Sequence, residues 1–185
     1  LSSSSAASDV YKRQGLNGII GAKLAGAETI IAIDIDPSKF SRAEELGATH
    51  CFDSRKNNMV EEIRDLTNGG VDYAIDLAGV IQAMDTAYQI IRYGGSVVTA
   101  GLSPINTKFS FNHSDLVAQE KSILGSYMGS CVPVRDVPRF LNLYKQGRLP
   151  VNKLIDGKIT FDNLNEGFDK LSKGEVVRQI LMPNA

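Results

Sequence analysis

From residue 15 onward the chain alternates between two hydrophobic periods. Leu16, Ile19, Ile20 and Leu24 recur at helical spacing through residues 15–25, and Gly26 closes that run. Residues 29–35, TIIAIDI, form a continuous apolar stretch, the pattern of a parallel strand covered on both faces. Pro37 suits a first helical position, where a missing N–H loses no partner, and residues 39–46 read as a helix that stops at Gly47. The alternation goes on with a strand at 50–52, a helix at 58–66 and a turn at Asn68-Gly69-Gly70. A strand at 71–77, a helix at 81–91, a turn at Tyr93-Gly94-Gly95 and a strand at 96–101 complete it. Such a rhythm predicts an α/β fold, a mostly parallel sheet doubly wound with helices on both sides.

After Gly101 the rhythm changes. Residues 108–111 read as a short strand, 114–119 as a helical turn and 122–127 as an edge strand. A longer helix spans 134–146 and ends at Gly147; a strand at 158–161, a helix at 164–171 and a last strand at 176–182 follow. No internal repeat or second domain boundary shows, so residues 15–185 are expected to form one domain.

The first fourteen residues, LSSSSAASDVYKRQ, are of another kind. They are serine-rich and lack an apolar period. A secretory signal would need a basic start and roughly 7–15 apolar residues, and neither is present. One reading is an N-terminal tail. The sharper one is that Asp9 to Gln14, DVYKRQ, resembles the translation of a transposon-end sequencing adaptor, a contaminant of conceptually translated metagenomic reads. On that reading residues 1–14 are non-native, and the natural protein continues upstream of Gly15 with other residues.

Composition narrows the class. The chain has 185 residues, enough to bury one sizeable core, with 43% hydrophobic and 22% charged positions. A formal charge of −1 provides no field that would gather nucleic acid or anionic lipid. No apolar run approaches the roughly 18–20 residues that cross a bilayer, so a membrane protein is not expected. Cys51 and Cys131 are far apart with no CxxC, so neither a disulfide framework nor a cysteine zinc site can be argued. The expectation is a cytoplasmic α/β domain.

In an open α/β sheet ligands bind beyond the carboxyl ends of the strands, at the point where the strand order reverses. Asp34 falls at the end of the second expected strand, 19 residues after Gly15, close to the usual interval between a glycine turn and a ribose-binding acid. A carboxylate there accepts hydrogen bonds from both adenosine ribose hydroxyls and repels a 2′-phosphate, which favours NAD over NADP. A solvated acid at a strand end is the plain alternative. The glycine fingerprint GxGxxG is broken: only its last glycine survives, as Gly15, while Gly18 and Gly21 also suit close helix–sheet packing. There is no GxxxxGK[ST], GxSxG or HExxH, and no tyrosine stands in a YxxxK. His50 and His113 have no partner at ligand spacing and read as structural. No catalytic and no metal-binding residue is expected in this segment.

From residue 15 to residue 183 the sequence resembles the C-terminal, coenzyme-binding half of zinc-dependent medium-chain alcohol dehydrogenases. The stretches that carry the resemblance are GLNGIIGAKLAGAETIIAIDIDPSKFSRAEELGATHCFD, TNGGVDYAIDLAG, GSYMGS and NEGFDKLSKGEVVRQILM, in family order. The resemblance implies a Rossmann-type sheet, truncated here before its first strand. It implies that Gly15 is the last fingerprint glycine, that Asp34, with Ile35 beside it, meets the adenosine ribose, and that Lys39 reaches the same ribose. It places Ala78, Ala100, Gly101 and Leu102 along the nicotinamide ribose, Tyr127 and Met128 at the carboxamide, and Arg178 toward the pyrophosphate. The implied cofactors are NAD and, only in the absent catalytic half, zinc. The implied activity is oxidation of a small alcohol to an aldehyde or ketone by hydride transfer, with a homodimer formed through the edge strand at 122–127.

Several expectations follow from what is missing. The family's zinc ligands and proton relay lie in the other half, so this segment alone is expected to be inactive. The strand at 158–161 is expected to lose its partners. The leader offers only Val10 and Tyr11 as β-formers beside the charges of Asp9, Lys12 and Arg13, so the central strand is expected to be absent. On that ground poor folding and weak or no NAD binding are expected. A polyol, formaldehyde-adduct or amino-alcohol substrate, a stand-alone non-catalytic nucleotide-binding module, and a methyltransferase are the other readings.

Overall fold

The computed structural model describes residues 5–9 and 13–183. The described chain divides between Val132 and Pro133 into two compact units.

The first unit is a six-stranded, all-parallel sheet. Its strands are β1 (Ser5–Asp9), β2 (Thr29–Asp34), β3 (His50–Asp53), β4 (Val71–Asp76), β5 (Ile91–Thr99) and β6 (Ser122–Gly125). The spatial order is β3-β2-β1-β4-β5-β6. Between them run α1 (Arg13–Leu24), α2 (Phe40–Leu46), α3 (Met59–Leu66), α4 (Ile81–Ile90) and α5 (His113–Ala118). The order reverses between β1 and β4, so right-handed crossovers carry the helices of the two halves to opposite faces. Strand and helix assignments from residue 15 to residue 76 agree with the hydrophobic pattern to within two residues at each end.

The main correction concerns the sheet's centre. The expectation was a sheet truncated before its first strand; the structure fills that place with Ser5–Asp9. β1 pairs with β2 from Ser5↔Thr29 to Asp9↔Ile33, and with β4 from Ala6↔Tyr73 to Ser8↔Ile75. The physical reason is that a ladder is made by backbone N–H and C=O groups. A slot flanked by two rows of unpaired groups accepts any short extended segment, β-formers or not. Val10 and Tyr11, the β-formers noted in the leader, lie outside the described residues.

Three smaller corrections have local causes. Residues 108–111 form no strand; Phe109 and Phe111 pack with Tyr88 instead, at ring-centroid distances of 6.3 and 6.1 Å. The edge strand stops at Gly125, because the chain turns out of the sheet through Met128 and Ser130 at φ of 50° and 51°. The turn expected at residues 93–95 is absorbed into β5, with a register irregularity opposite Val71 and Tyr73.

The core is aliphatic. Ile31, Ile63, Val71, Ile90, Ile91 and Val97 are fully buried, joined by Met59, Met84 and Tyr88. Each such side chain contributes roughly 1.5–3 kcal/mol by leaving water. Leu16, Ile19 and Ile20 bury the inner face of α1, as their helical spacing predicts.

The second unit contains α6 (Pro133–Lys145), α7 (Leu164–Ser172) and a two-stranded parallel sheet of β7 (Gly157–Ile159) and β8 (Gln179–Leu181). Here too an expectation is corrected, since the strand expected to lose its partners pairs within the chain, from Gly157↔Gln179 to Ile159↔Leu181. The last expected strand, 176–182, is shorter than its apolar pattern. Asp156 fastens its approach by accepting from the Val177 and Arg178 N–H groups.

Candidate functional site

Because the sheet of the first unit is wholly parallel, its strands all deliver their carboxyl ends to one edge. Four of them end on aspartates, β1 on Asp9, β2 on Asp34, β3 on Asp53 and β4 on Asp76.

Asp34 is the most constrained. It is 2% exposed, and its Oδ1 accepts from the Asp36 N–H at 2.8 Å. Lys39 Nζ stands 3.6 Å from that same oxygen and 3.7 Å from Asp36 Oδ2. The local chain explains the approach. Asp36 caps a short 3-10 turn, Pro37–Lys39, by accepting from the Ser38 N–H at 3.1 Å and the Ser38 hydroxyl at 2.7 Å. That turn carries Lys39 back over the strand end. The other oxygen, Asp34 Oδ2, is buried with no hydrogen-bond partner. Burial pushes the Asp34 carboxyl above its ordinary value, outweighing the Asp36 N–H and the Lys39 ammonium, which both pull it down. A buried acceptor left open beside a held cation fits a ligand that brings hydroxyl donors, as the diol of a ribose does. Ile35, 58% exposed, follows directly and offers an apolar surface next to it.

Asp76 laces the ends of β4 and β5 together. Its side chain accepts from the N–H groups of Ala78 at 3.1 Å and Gly79 at 3.3 Å, and from the Thr99 hydroxyl at 2.8 Å. Its carbonyl accepts from the N–H groups of Ala100 at 2.9 Å and Gly101 at 3.2 Å. The Ser103 hydroxyl adds a bond to the Gly79 carbonyl at 2.8 Å. Ala78, Ala100 and Gly101 are thereby fixed in two crossing backbone segments, with the Leu102 side chain 80% exposed beyond them. Tyr127 and Met128, 73% and 74% exposed, follow β6 on the same edge, and the Ser126 N–H ties their turn to the Thr99 carbonyl at 2.9 Å.

The structure thus brings Asp34, Ile35, Lys39, Ala78, Ala100, Gly101, Leu102, Tyr127 and Met128 to the carboxyl edge of one sheet. Gly15 is buried in the first turn of α1, which follows β1 and its connection. Arg178 belongs to the second unit, where its backbone brackets Asp156 through bonds of 3.0 and 2.8 Å. Sequence reasoning missed Asp76 and the Asp53–Arg55 pair. For Asp76 a signal was available, since Ala-Ile-Asp ends β4 just as it ends β2. At the spacing of GxGxxG ending on Gly15, the first two glycines are replaced by Val10 and Lys12, outside the described residues. Among the described residues no group of three His, Cys, Asp or Glu side chains is placed to hold a metal ion, so no step through zinc is derived from them. Among them, too, no helix is long and apolar enough to cross a membrane.

Strand order 3-2-1-4-5-6 with an acid ending the second strand defines the dinucleotide-binding class of doubly wound domains. Comparison with known proteins narrows the class. The family model for zinc-binding dehydrogenases matches residues 15–146, and the chain belongs to that family. It is 34% identical over 170 residues to alcohol dehydrogenase 1 of Cenchrus americanus, an alignment covering 90% of this chain and 45% of that protein. Benzyl alcohol dehydrogenase from Acinetobacter calcoaceticus superposes with a TM-score of 0.91 at 31% identity, covering 97% of this chain and 49% of that one. A zinc-binding dehydrogenase from Sinorhizobium meliloti 1021, bound to NADP, superposes at 0.85 with 28% identity, covering 98% of this chain and 52% of that one. The chain therefore spans about half the length of the relatives it matches.

Proposed function

We propose that this chain is the NAD-binding half of a zinc-dependent alcohol dehydrogenase that oxidises a small alcohol to an aldehyde or ketone, and that alone it holds cofactor weakly and has no dehydrogenase activity. The observation that carries the reading is Asp34: a fully buried carboxylate with one oxygen held by Asp36 and the other open. NAD, when bound, supplies the hydride acceptor. The chain's own residues bind and orient. Asp34 accepts from the adenosine ribose hydroxyls, and Lys39 balances its charge. A 2′-phosphate would meet Asp34 and Asp36 together, which favours NAD. Ala78, Ala100, Gly101 and Leu102 line the nicotinamide ribose, and the Tyr127–Met128 backbone presents hydrogen-bonding groups to the carboxamide. Weak binding follows from the sequence, in which the GxGxxG spacing that ends on Gly15 carries Val10 and Lys12 in place of its first two glycines.

The same reading assigns zinc and the proton relay to the other half of the parent enzyme, working in the cytoplasm. It also assigns a two-fold partner to the outer edge of β6, which among the described residues is the last strand of the sheet and where Leu124 is 51% exposed.

The test is a saturation-transfer NMR titration of the chain with millimolar NAD and NADP. NAD is expected to bind more tightly than NADP, and Asp34→Asn to erase most of the difference. Preference for NADP, or no effect of Asp34→Asn, would overturn the reading.

A further inference from the structure

The corner at Asp34 continues onto the neighbouring strand. Asp53 ends β3 and is the register partner of Asp34, and the Ser54 N–H donates to the Asp34 carbonyl at 3.1 Å. The loop after β3 is therefore fastened to the end of β2. On that loop, Arg55 is gripped by Asp53 through three bonds. Its backbone N–H reaches Oδ1 at 3.0 Å, Nε reaches Oδ1 at 2.9 Å, and Nη2 reaches Oδ2 at 2.6 Å.

A bidentate fork of this kind fixes the plane of the guanidinium. It occupies one edge of the group and leaves both faces available. The Arg55 side chain is 64% exposed, so the pair adds little to the stability of the fold. The pairing with Arg55 holds the Asp53 carboxyl down to about 2, and Asp53, with a further contribution from Asp36, holds the guanidinium in its charged form.

In a dinucleotide crevice the pyrophosphate lies at the switch point, here between β1 and β4. The adenosine ribose lies out from it at the acid of β2, and the base hangs from the far side of that ribose. From Asp34 the outward direction leads to β3. There the chain presents a flat cation clamped edge-on, with exposed Ile35 just past the end of the neighbouring strand.

We infer that Arg55 lays the face of its guanidinium against the purine ring of the bound nucleotide, and that Asp53 is the positioning residue that holds it flat. The inference rests on the nucleotide reading above and deepens it. It adds a base-recognition element to a site otherwise defined by ribose contacts.

The experiment titrates the 185-residue chain with adenosine, 5′-AMP and 2′-AMP, following ligand signals by NMR. Arg55→Ala is expected to weaken adenosine and 5′-AMP by the same factor, about two- to fivefold, the range for an exposed cation over an aromatic face. Arg55→Lys, which keeps the charge but not the plane, is expected to recover less than half of the loss. Asp53→Asn, which keeps Arg55 but loosens the fork, is expected to fall between wild type and Arg55→Ala. Unchanged adenosine binding in Arg55→Ala overturns the inference, as does a loss confined to 5′-AMP or 2′-AMP, which would make Arg55 a phosphate contact. Asp34→Asn separates the two levels. If it weakens every ligand while Arg55→Ala does nothing, the ribose site stands and the base contact falls. If it weakens none, both fall.

Discussion

Gly79 and Gly101 touch backbone to backbone: a Cβ added to Gly101 would lie 2.1 Å from the Gly79 nitrogen. Gly79 itself sits at φ +69°, where an added Cβ would meet the Leu102 carbonyl oxygen at 2.7 Å. The crossing brings the ends of β4 and β5 together at the carboxyl edge of the sheet. Gly101→Ala forces this crossing apart, because the obstructing atom is main chain and cannot rotate away. It is expected to destabilise the first unit by about 1–3 kcal/mol, the usual range for overpacking. Urea denaturation followed by circular dichroism measures it.

Asp34 sets binding against stability. Its carboxyl is raised from 3.8 chiefly by burial, so the folded chain holds the proton more tightly than the unfolded chain. Stability therefore falls as pH rises from 3.8 through the raised value, and the burden persists at neutral pH. Asp34→Asn removes the buried charge. Its thermal midpoint without nucleotide is expected to exceed wild type at pH 7 and to converge on it in acid. Nucleotide binding is expected to weaken about ten- to hundredfold, as loss of hydrogen bonds to a charged acceptor implies. Differential scanning fluorimetry across pH, with and without 5′-AMP, reads both effects.

The Tyr88 hydroxyl is buried with no hydrogen-bond partner, while its ring meets Phe109, Phe111 and the Lys121 ammonium, the last 4.6 Å from the ring centroid. Burial also raises the phenol above its ordinary value. Tyr88→Phe keeps every ring contact and removes the orphan group. It is expected to stabilise the chain by about 1 kcal/mol, the lower end of the penalty for an unmade buried hydrogen bond. A lower urea midpoint than wild type would show that the hydroxyl is satisfied in solution.

Cys51 is expected to be a slow thiol. Burial, reinforced by the Glu44 carboxylate, pushes it from 9.0 up to about 11, and its Sγ lies 3.9 Å from the Phe40 carbonyl oxygen. About a hundredfold less thiolate at pH 8 follows from that difference; the greater nucleophilicity of a more basic thiolate restores part of it, so the reaction rate is expected to fall about tenfold. Kinetics with a disulfide reagent on a Cys131→Ser variant would check it, and a rate like that of a free thiol would refute it.

Much of the first unit was legible along the chain. β2 was legible because a strand buried on both faces must be apolar without interruption, and α1 because Leu16, Ile19 and Ile20 repeat at the helical period. Asp34 was legible for a related reason, as an acid that ends such a run at a fixed interval from a glycine. In each case the feature depends on the order of neighbouring residues, which is what a sequence records directly.

Other features depended on groups far apart in the chain. Residues 108–111 looked like a strand, yet Phe109 and Phe111 are drawn to Tyr88 on α4, a packing choice that their own alternation does not encode. Asp76 could be seen as a strand end, but its hold on Ala78, Gly79, Thr99, Ala100 and Gly101 exists only once β4 and β5 lie side by side. The Asp53–Arg55 fork is local, yet its meaning depends on the register that sets Asp53 beside Asp34. Most of all, Ser5–Asp9 carries no strand pattern and still occupies the centre of the sheet. The sequence by itself determined the strands and helices between residues 15 and 76 and where an acid ends β2, because side-chain periodicity reports burial locally. Only the tertiary structure decided what fills the slot between β2 and β4, because that place is defined by backbone hydrogen-bonding groups on two distant strands, which accept a partner for its extended main chain rather than for its side chains.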